Sequence, residues 1–205
     1  GLGNGGMAVA WYGADLDNTD YSIFVQVIQA NGQPQGNPVK LAGLGVTDGH
    51  DFAPELAALG TNGEFVVTWH GTDATGDFSV FVQRFDAQVQ PNGQMVQLEA
   101  LNRSAGQDLN PQVAALGDEG HFVVTWSGDD VHEAGQTTPD KSIFVQIFDA
   151  AGQPSGALVQ LEPTGVTRGL DSSPQVKALG TDGRFVVTWA GMDSQGDQSI
   201  FVHSF

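Results

Sequence analysis

The chain has no cysteine, which excludes disulfides and thiolate metal sites. An extracellular protein built this way must draw rigidity from elsewhere, and bound calcium is one common route. Positive charge is scarce: 7 Lys and Arg stand against 24 Asp and Glu in 205 residues, a formal net charge of -17. That balance leaves no basic patch for phosphate and argues against nucleic acid as a partner. It argues equally against anionic membrane surfaces, and it favours solubility, cation binding or basic partners. No apolar run approaches the roughly 18 residues of a membrane helix, so no membrane insertion is expected, and no signal-peptide pattern is present. Apolar spacing of three and four is nowhere sustained, so helix beyond a turn is not expected. High net charge can mean disorder, but 40% hydrophobic residues in periodic runs exclude that reading. The chain opens on Gly1 rather than Met, which reads as a fragment or a processed product.

What is present is repetition, with a period of 57–63 residues. Four times a strand-like run ends in tryptophan and leads into an acidic signature: Trp11-Tyr-Gly-Ala-Asp15, Trp69-His-Gly-Thr-Asp73, Trp126-Ser-Gly-Asp-Asp130 and Trp189-Ala-Gly-Met-Asp193. A second Asp follows two residues before a Ser, as Asp20, Asp77, Asp140 and Asp197, and an Ile/Val-Phe-Val run comes next. Repeats of this length mean a solenoid, a propeller or a tandem array.

The aligned copies define one unit. A run after proline (Pro54–Leu59, Pro111–Leu116, Pro174–Leu179) leads into a Gly-x-x-Gly turn, then Phe65-Val-Val-Thr-Trp69 and its copies. The Asn-Gly and Asp-Gly pairs in these turns supply positive φ cheaply and predict hairpins. After the acidic loop come a third strand (Ile23–Ile28, Val80–Phe85, Ile143–Phe148, Ile200–Phe205) and a fourth (Val39–Leu41, Met95–Leu98, Leu158–Leu161). Phe65, Val67 and Trp69 alternate with Val66, so the second strand is apolar on both faces, as in sheets stacked face to face. Four-stranded sheets repeated radially are a β-propeller. The expected fold is therefore all-β: a four-repeat β-propeller-like module of four-stranded antiparallel sheets, with units at 1–46, 47–104, 105–167 and 168–205. The first unit lacks its first strand and the last lacks its fourth, so 14 of 16 strands are expected. Open edges invite self-association.

The candidate chemistry lies in carboxylates. The acidic loops carry Asp15, Asp20, Asp73, Asp77, Asp130, Asp140, Asp193 and Asp197. A further acidic position, Asp-x-x-Pro, supplies Asp51, Asp108 and Asp171. All should crowd one rim, where like charges repel unless separated, protonated or bridged by cations. Ca2+, which takes six to eight oxygens, suits this set better than zinc or copper. The competing reading is that each Asp hydrogen-bonds nearby amides and shapes a turn. The stretch from Asp15 to Asp20 lacks the Gly and terminal Glu of an EF-hand loop.

The tryptophans read as fillers between sheets, with sugar stacking as the alternative. Tyr12 and His70 occupy the variable position after Trp; with Phe78 they are candidate ligand contacts. His132-Glu133, in the longest loop, reads as solvated surface. No HExxH, no Gly-x-Ser-x-Gly and no phosphate-binding Gly-Lys-Ser/Thr is present. A carboxylate pair could serve a glycosidase, yet a pair copied four times suits a structural role better. The expectation is no catalytic residue and no enzyme.

The run Asp-x-x-Pro-Gln-Val-Ala-Ala-Leu, Gly-x-Phe-Val-Val-Thr-Trp and Phe-Val-Gln-x-Phe-Asp-Ala-x-Gly resembles tandem repeats of large secreted bacterial proteins, the RTX-type adhesins and calcium-associated surface proteins. Residues 108–161 carry the resemblance best. It implies an extracellular or cell-surface location, calcium-rich surroundings and a role in adhesion or assembly. The Gly-Gly-x-Gly-x-Asp nonapeptides of RTX proteins proper are missing. The function expected from the sequence is thus a calcium-stabilised, non-catalytic binding, adhesion or assembly module with a protein or glycan ligand at its acidic face. A carbohydrate-binding lectin, and a structural subunit completed by strands from neighbouring chains, are the alternatives.

Overall fold

A computed structural model of the chain describes residues 1–15, 20–41, 49–100, 106–130, 140–162 and 169–205. The boundaries expected between units, and His132-Glu133, lie outside the described residues. Among the described residues, fourteen strands form four antiparallel sheets in chain order. The first sheet is β1 (Met7–Ala14), β2 (Tyr21–Ile28) and β3 (Val39–Leu41). The second is β4 (Asp51–Leu59), β5 (Glu64–Thr72), β6 (Phe78–Phe85) and β7 (Val96–Leu98). The third is β8 (Asp108–Leu116), β9 (His121–Asp130), β10 (Asp140–Phe148) and β11 (Pro154–Leu161). The fourth is β12 (Ser172–Ala178), β13 (Phe185–Met192) and β14 (Gln198–Ser204). β4 lies beside β1, β8 beside β4 and β12 beside β8, so the sheets fan out in sequence as in a propeller.

The register explains the burial. Trp69 faces Phe81, Trp126 faces Phe144 and Trp189 faces Phe201 across neighbouring strands, with rings stacked at 5.6–5.7 Å. On one side of β5, Phe65, Val67 and Trp69 pack against Ile23, Val25 and Val27 of the first sheet. On the other side, Val66, with Val80 and Val82 of β6, packs against Phe122, Val124 and Trp126 of the third sheet. The third and fourth sheets repeat the arrangement through Val123, Ile143, Val145, Phe185, Val187 and Trp189. Trp69, Trp126 and Trp189 fill space between sheets, as the alternation predicts, whereas Trp11 of the first sheet is 37% exposed.

The first strand of each unit departs from the sequence reading. It does not begin at proline: β4 and β8 start three residues earlier, at Asp51 and Asp108, and cross the proline through a bulge. Ala53, Asn110 and Ser173, each just before the proline, adopt φ of 49–54°, the left-handed region. Pro54, Pro111 and Pro174 keep the chain extended beyond the kink. The Asp of Asp-x-x-Pro is therefore not a linker residue between units. In the second and third sheets it is the buried first residue of a mostly half-buried strand.

Candidate functional site

Asp51, Asp108 and Asp171 are almost wholly buried. Trp69 Nε1 donates to Asp51 Oδ1 at 3.1 Å, and Trp126 Nε1 to Asp108 Oδ1 at 2.8 Å. The glycine two residues after each Trp makes room: a Cβ on Gly71, Gly128 or Gly191 would stand 1.8, 2.2 or 2.0 Å from the Asp51, Asp108 or Asp171 oxygen. Trp-x-Gly and Asp-x-x-Pro are thus two halves of one lock. Burial pushes all three carboxyls up to about 7, against an ordinary value of 3.8. Lesser contributions come from the Asp20 charge at Asp51, Glu99 at Asp108, and Glu162 at Asp171.

The first Asp of the acidic loop serves its own turn. Asp73 Oδ1 accepts from the Thr75 amide (2.8 Å), the Thr75 hydroxyl (2.7 Å) and the Asp77 amide (3.1 Å). Asp193 Oδ1 accepts from the amides of Gln195 (2.9 Å) and Asp197 (3.0 Å). Burial disfavours the Asp73 anion, but the Thr75, Asp77 and Ser79 donors outweigh it and hold its pKa below the usual range. The Asp197 and Gln195 amides do the same for Asp193. The other oxygen of each loop Asp points into a network. Ser79 Oγ lies 3.2 Å from Asp73 Oδ2 and 2.7 Å from Glu99 Oε1, and Gln97 donates to both carboxylates. The third sheet repeats this with Asp130, Ser142, Gln160 and Glu162. In the first sheet Lys40 replaces the Gln, and its ammonium is what chiefly holds the Asp15 pKa down. The sequence reading missed Gln97, Glu99, Gln160 and Glu162, although the repeated Val-Gln-Leu-Glu was the signal.

The second loop aspartates do not gather into one set. Asp20 and Asp140 are buried, Asp77 is half-buried and Asp197 is exposed. Asp140 Oδ1 accepts from the amides of Lys141 (3.0 Å) and Gly169 (2.7 Å), tying the loop to the entry of the fourth sheet. Among the described residues, no group of three or more His, Asp or Glu side chains is arranged to hold a metal ion.

The three candidate ligand contacts do meet. Phe52, at the head of β4, has the rings of Tyr12, Tyr21, His50, His70 and Phe78 at centroid distances of 5.6–6.1 Å. The cluster spans the seam between the first and second sheets at the acidic-loop end. Tyr21, Phe52 and Phe78 each follow a repeat carboxylate, namely Asp20, Asp51 and Asp77. Tyr12 (51%) and Tyr21 (41%) are exposed, whereas His70 (8%) is buried. His70 Nδ1 accepts from the Asn110 amide at 3.4 Å, and burial lowers its pKa to about 4, so the ring is neutral around pH 7. His70 is therefore a wall of the cluster and not a surface contact. The corresponding positions in the third and fourth sheets are Ser127, Leu109 and Lys141, and Ala190, Ser172 and Gln198, so the cluster is not part of the repeat. A separate cavity of about 540 Å³ lies at the opposite, hairpin end, between the third and fourth sheets. Leu116, Asp118, His121, Ile147, Thr181 and Asp182 line it, and it contains none of the predicted site residues.

No protein-family model matches the sequence, and no curated protein matches it. By structure the chain is similar to the α-L-arabinofuranosidase Arb93A of Fusarium graminearum, with TM-score 0.60 and 12% identity, over 95% of this chain and 59% of that enzyme. It is also similar to the α-L-arabinanase of Cellvibrio cellulosa (TM-score 0.49, 13% identity, 97% of this chain and 69% of that one). A third is the GH43 endo-arabinanase of Bacillus licheniformis (TM-score 0.48, 14% identity, 98% and 70%). The class is thus a β-propeller-like module, and the chain spans 59% of the length of Arb93A.

This likeness corrects the expectation of a non-catalytic adhesion or assembly module and of a chain that is not an enzyme: the fold is one that a glycosidase uses. The flaw lay in taking repetition as a sign against catalysis. Repeated residues build the sheets, whereas a single active site needs only the side chains that differ between them. At 12% identity the likeness carries the fold and no residue's role.

Proposed function

We propose that this chain is the glycan-contacting part of a carbohydrate-active, glycoside-hydrolase-type propeller. The observation that carries this reading is the open aromatic cluster of Tyr12, Tyr21, Phe52 and Phe78, set among carboxylates at one end of a fold shared with an α-L-arabinofuranosidase. Aromatic faces bind the C–H face of a sugar ring, and carboxylates accept hydrogen bonds from its hydroxyls. Hydrolysis of a glycosidic bond asks for two carboxyl groups, one protonated and one ionised, flanking the bond. Asp20 and Asp77 adjoin the rings in sequence, whereas Asp51 is held in its lock with Trp69 and Gly71 and belongs to the scaffold. A polysaccharide is met outside the cell, so the reading includes an extracellular location.

The test is incubation with α-1,5-linked arabinan and with aryl α-L-arabinofuranosides, reading released reducing sugar and aglycone. The expected outcome is turnover that Tyr12→Ala weakens chiefly through a higher KM. No release from any furanosyl or pyranosyl substrate, together with no binding to immobilised glycans, would refute the reading.

A further inference from the structure

The ring cluster sits at an end of the molecule where positive charge is already engaged. The whole chain sets 7 Lys and Arg against 24 Asp and Glu. Among the described residues, these cations divide by end. Arg84 and Lys177 face Val66 and Val186 near the hairpin turns, and Arg184 lies in such a turn, next to Phe185. Lys40 and Lys141 are left for the acidic-loop end. The Lys40 ammonium is on Asp15, and Lys141 Nζ lies 2.7 Å from Asp129 Oδ1 and 3.2 Å from the Gln107 carbonyl. The two imidazoles of the cluster also have their acceptor nitrogens in use. His50 Nδ1 accepts from the Tyr21 amide at 3.3 Å and His70 Nδ1 from the Asn110 amide at 3.4 Å, as neutral rings do. Negative charge is left over. Asp77, immediately before Phe78, is half-buried, and among the described residues its carboxylate meets only the Thr75 hydroxyl, at 3.4 Å.

We propose that this site selects its ligand by charge: it takes uncharged glycan chains and excludes those that carry carboxylates, the uronic acids above all. The inference rests on the glycan reading above and names the substrate class of the same ring cluster. A sugar carboxylate seated against Tyr12 and Tyr21 loses part of its hydration, and among the described residues no unengaged ammonium or guanidinium replaces it. The negative face of each aromatic ring adds to the mismatch. Asp77 and the net charge of -17 repel an anion on approach. A neutral sugar meets none of these obstacles: the rings take its C–H face, and the Asp77 oxygens accept from its hydroxyls. The two effects differ in range. Repulsion by the whole chain reaches about 10 Å in 0.1 M salt and about 3 Å in 1 M, whereas the missing partner is a contact effect that salt leaves in place.

The test is isothermal titration calorimetry of the 205-residue chain with two matched pairs of probes, in about 0.1 M and about 1 M NaCl. One pair is hydroxyethylated and carboxymethylated arabinan at equal substitution, with unmodified arabinan beside them. The other is a methyl-esterified oligogalacturonide and its free acid. In each pair whose neutral member binds, the anionic member is expected to bind at least about tenfold more weakly at low salt, and still more weakly, by a smaller factor, at high salt. Tyr21→Ala is expected to weaken binding of the neutral member, which ties that binding to the rings. Asp77→Lys is expected to raise the ratio of anionic to neutral affinity severalfold, and Asp77→Asn replaces it if circular dichroism shows that Lys disturbs the fold. An anionic member bound as tightly as its neutral partner at low salt would overturn the charge selection and leave the glycan reading standing. A preference that vanishes in 1 M salt would overturn it too, since it would come from net charge and not from the site. No binding of any probe, neutral or anionic, would overturn the glycan reading and this inference with it.

Discussion

Replacing Asp51 by Asn makes the protein more stable at alkaline pH and leaves it nearly unchanged in acid. The carboxyl is 4% exposed and accepts one hydrogen bond from Trp69 Nε1 at 3.1 Å, which the amide oxygen of Asn can also accept. What the substitution removes is ionisation. The folded carboxyl titrates near 7 and the unfolded one near 3.8. Below 3.8 both states hold the proton and no penalty exists. As pH rises through this window, the unfolded chain gains stability by releasing its proton while the folded chain keeps it. The full gap corresponds to about 4 kcal/mol, and local relaxation and water entry reduce this to about 2 kcal/mol. For a chain of this size, that is a rise in Tm of about 4–8 °C. Thermal unfolding followed by circular dichroism at about pH 4 and about pH 8 reads the difference directly. An Asn variant as stable as or less stable than wild type at the alkaline pH would refute the assignment of Asp51 as a buried, destabilising carboxyl. Asp73 acts in the opposite sense. Held ionised by its donors, it contributes stability above 3.8 that is lost as pH falls further. Taken together, these two groups favour the lower end of that window, just above 3.8.

Gly128→Ala drives a methyl group to 2.2 Å from Asp108 Oδ1 and 3.0 Å from the Phe144 ring, and is expected to cost about 1–3 kcal/mol by urea unfolding; a change below about half a kcal/mol would show that the lock is loose. Calcium at the acidic rim, proposed from the paired aspartates, predicts a Ca2+-specific rise in Tm of the metal-stripped protein with Mg2+ as control. An unchanged midpoint would assign those aspartates to their loop amides alone.

The scaffold was legible because its rules are local. Alternation in Phe65-Val-Val-Thr-Trp69, a Gly-x-x-Gly turn and two missing strands led to fourteen strands in four sheets, and these are present among the described residues. The site was legible in part. Tyr12 and His70 were named from their variable position after Trp and Phe78 as a loop aromatic, but Tyr21, His50 and Phe52 were not, because the rings meet only across the seam between two sheets. Asp51, Asp108 and Asp171 were grouped with the rim carboxylates. The bulge at Ala53, Asn110 and Ser173 requires a left-handed residue before proline, a conformation that Ala and Ser rarely take, so nothing in the run announced it.

The sequence by itself determined the repeat, the strand alternation and the turns, since each depends on residues within a few positions of one another. Tertiary structure decided which carboxyls keep their protons and which rings form a surface. Those properties depend on desolvation and contact between residues far apart in the chain. Asp51 and Trp69 are 18 positions apart, and so are Asp108 and Trp126; identical aspartates elsewhere in the repeat stay ionised because water and loop amides reach them.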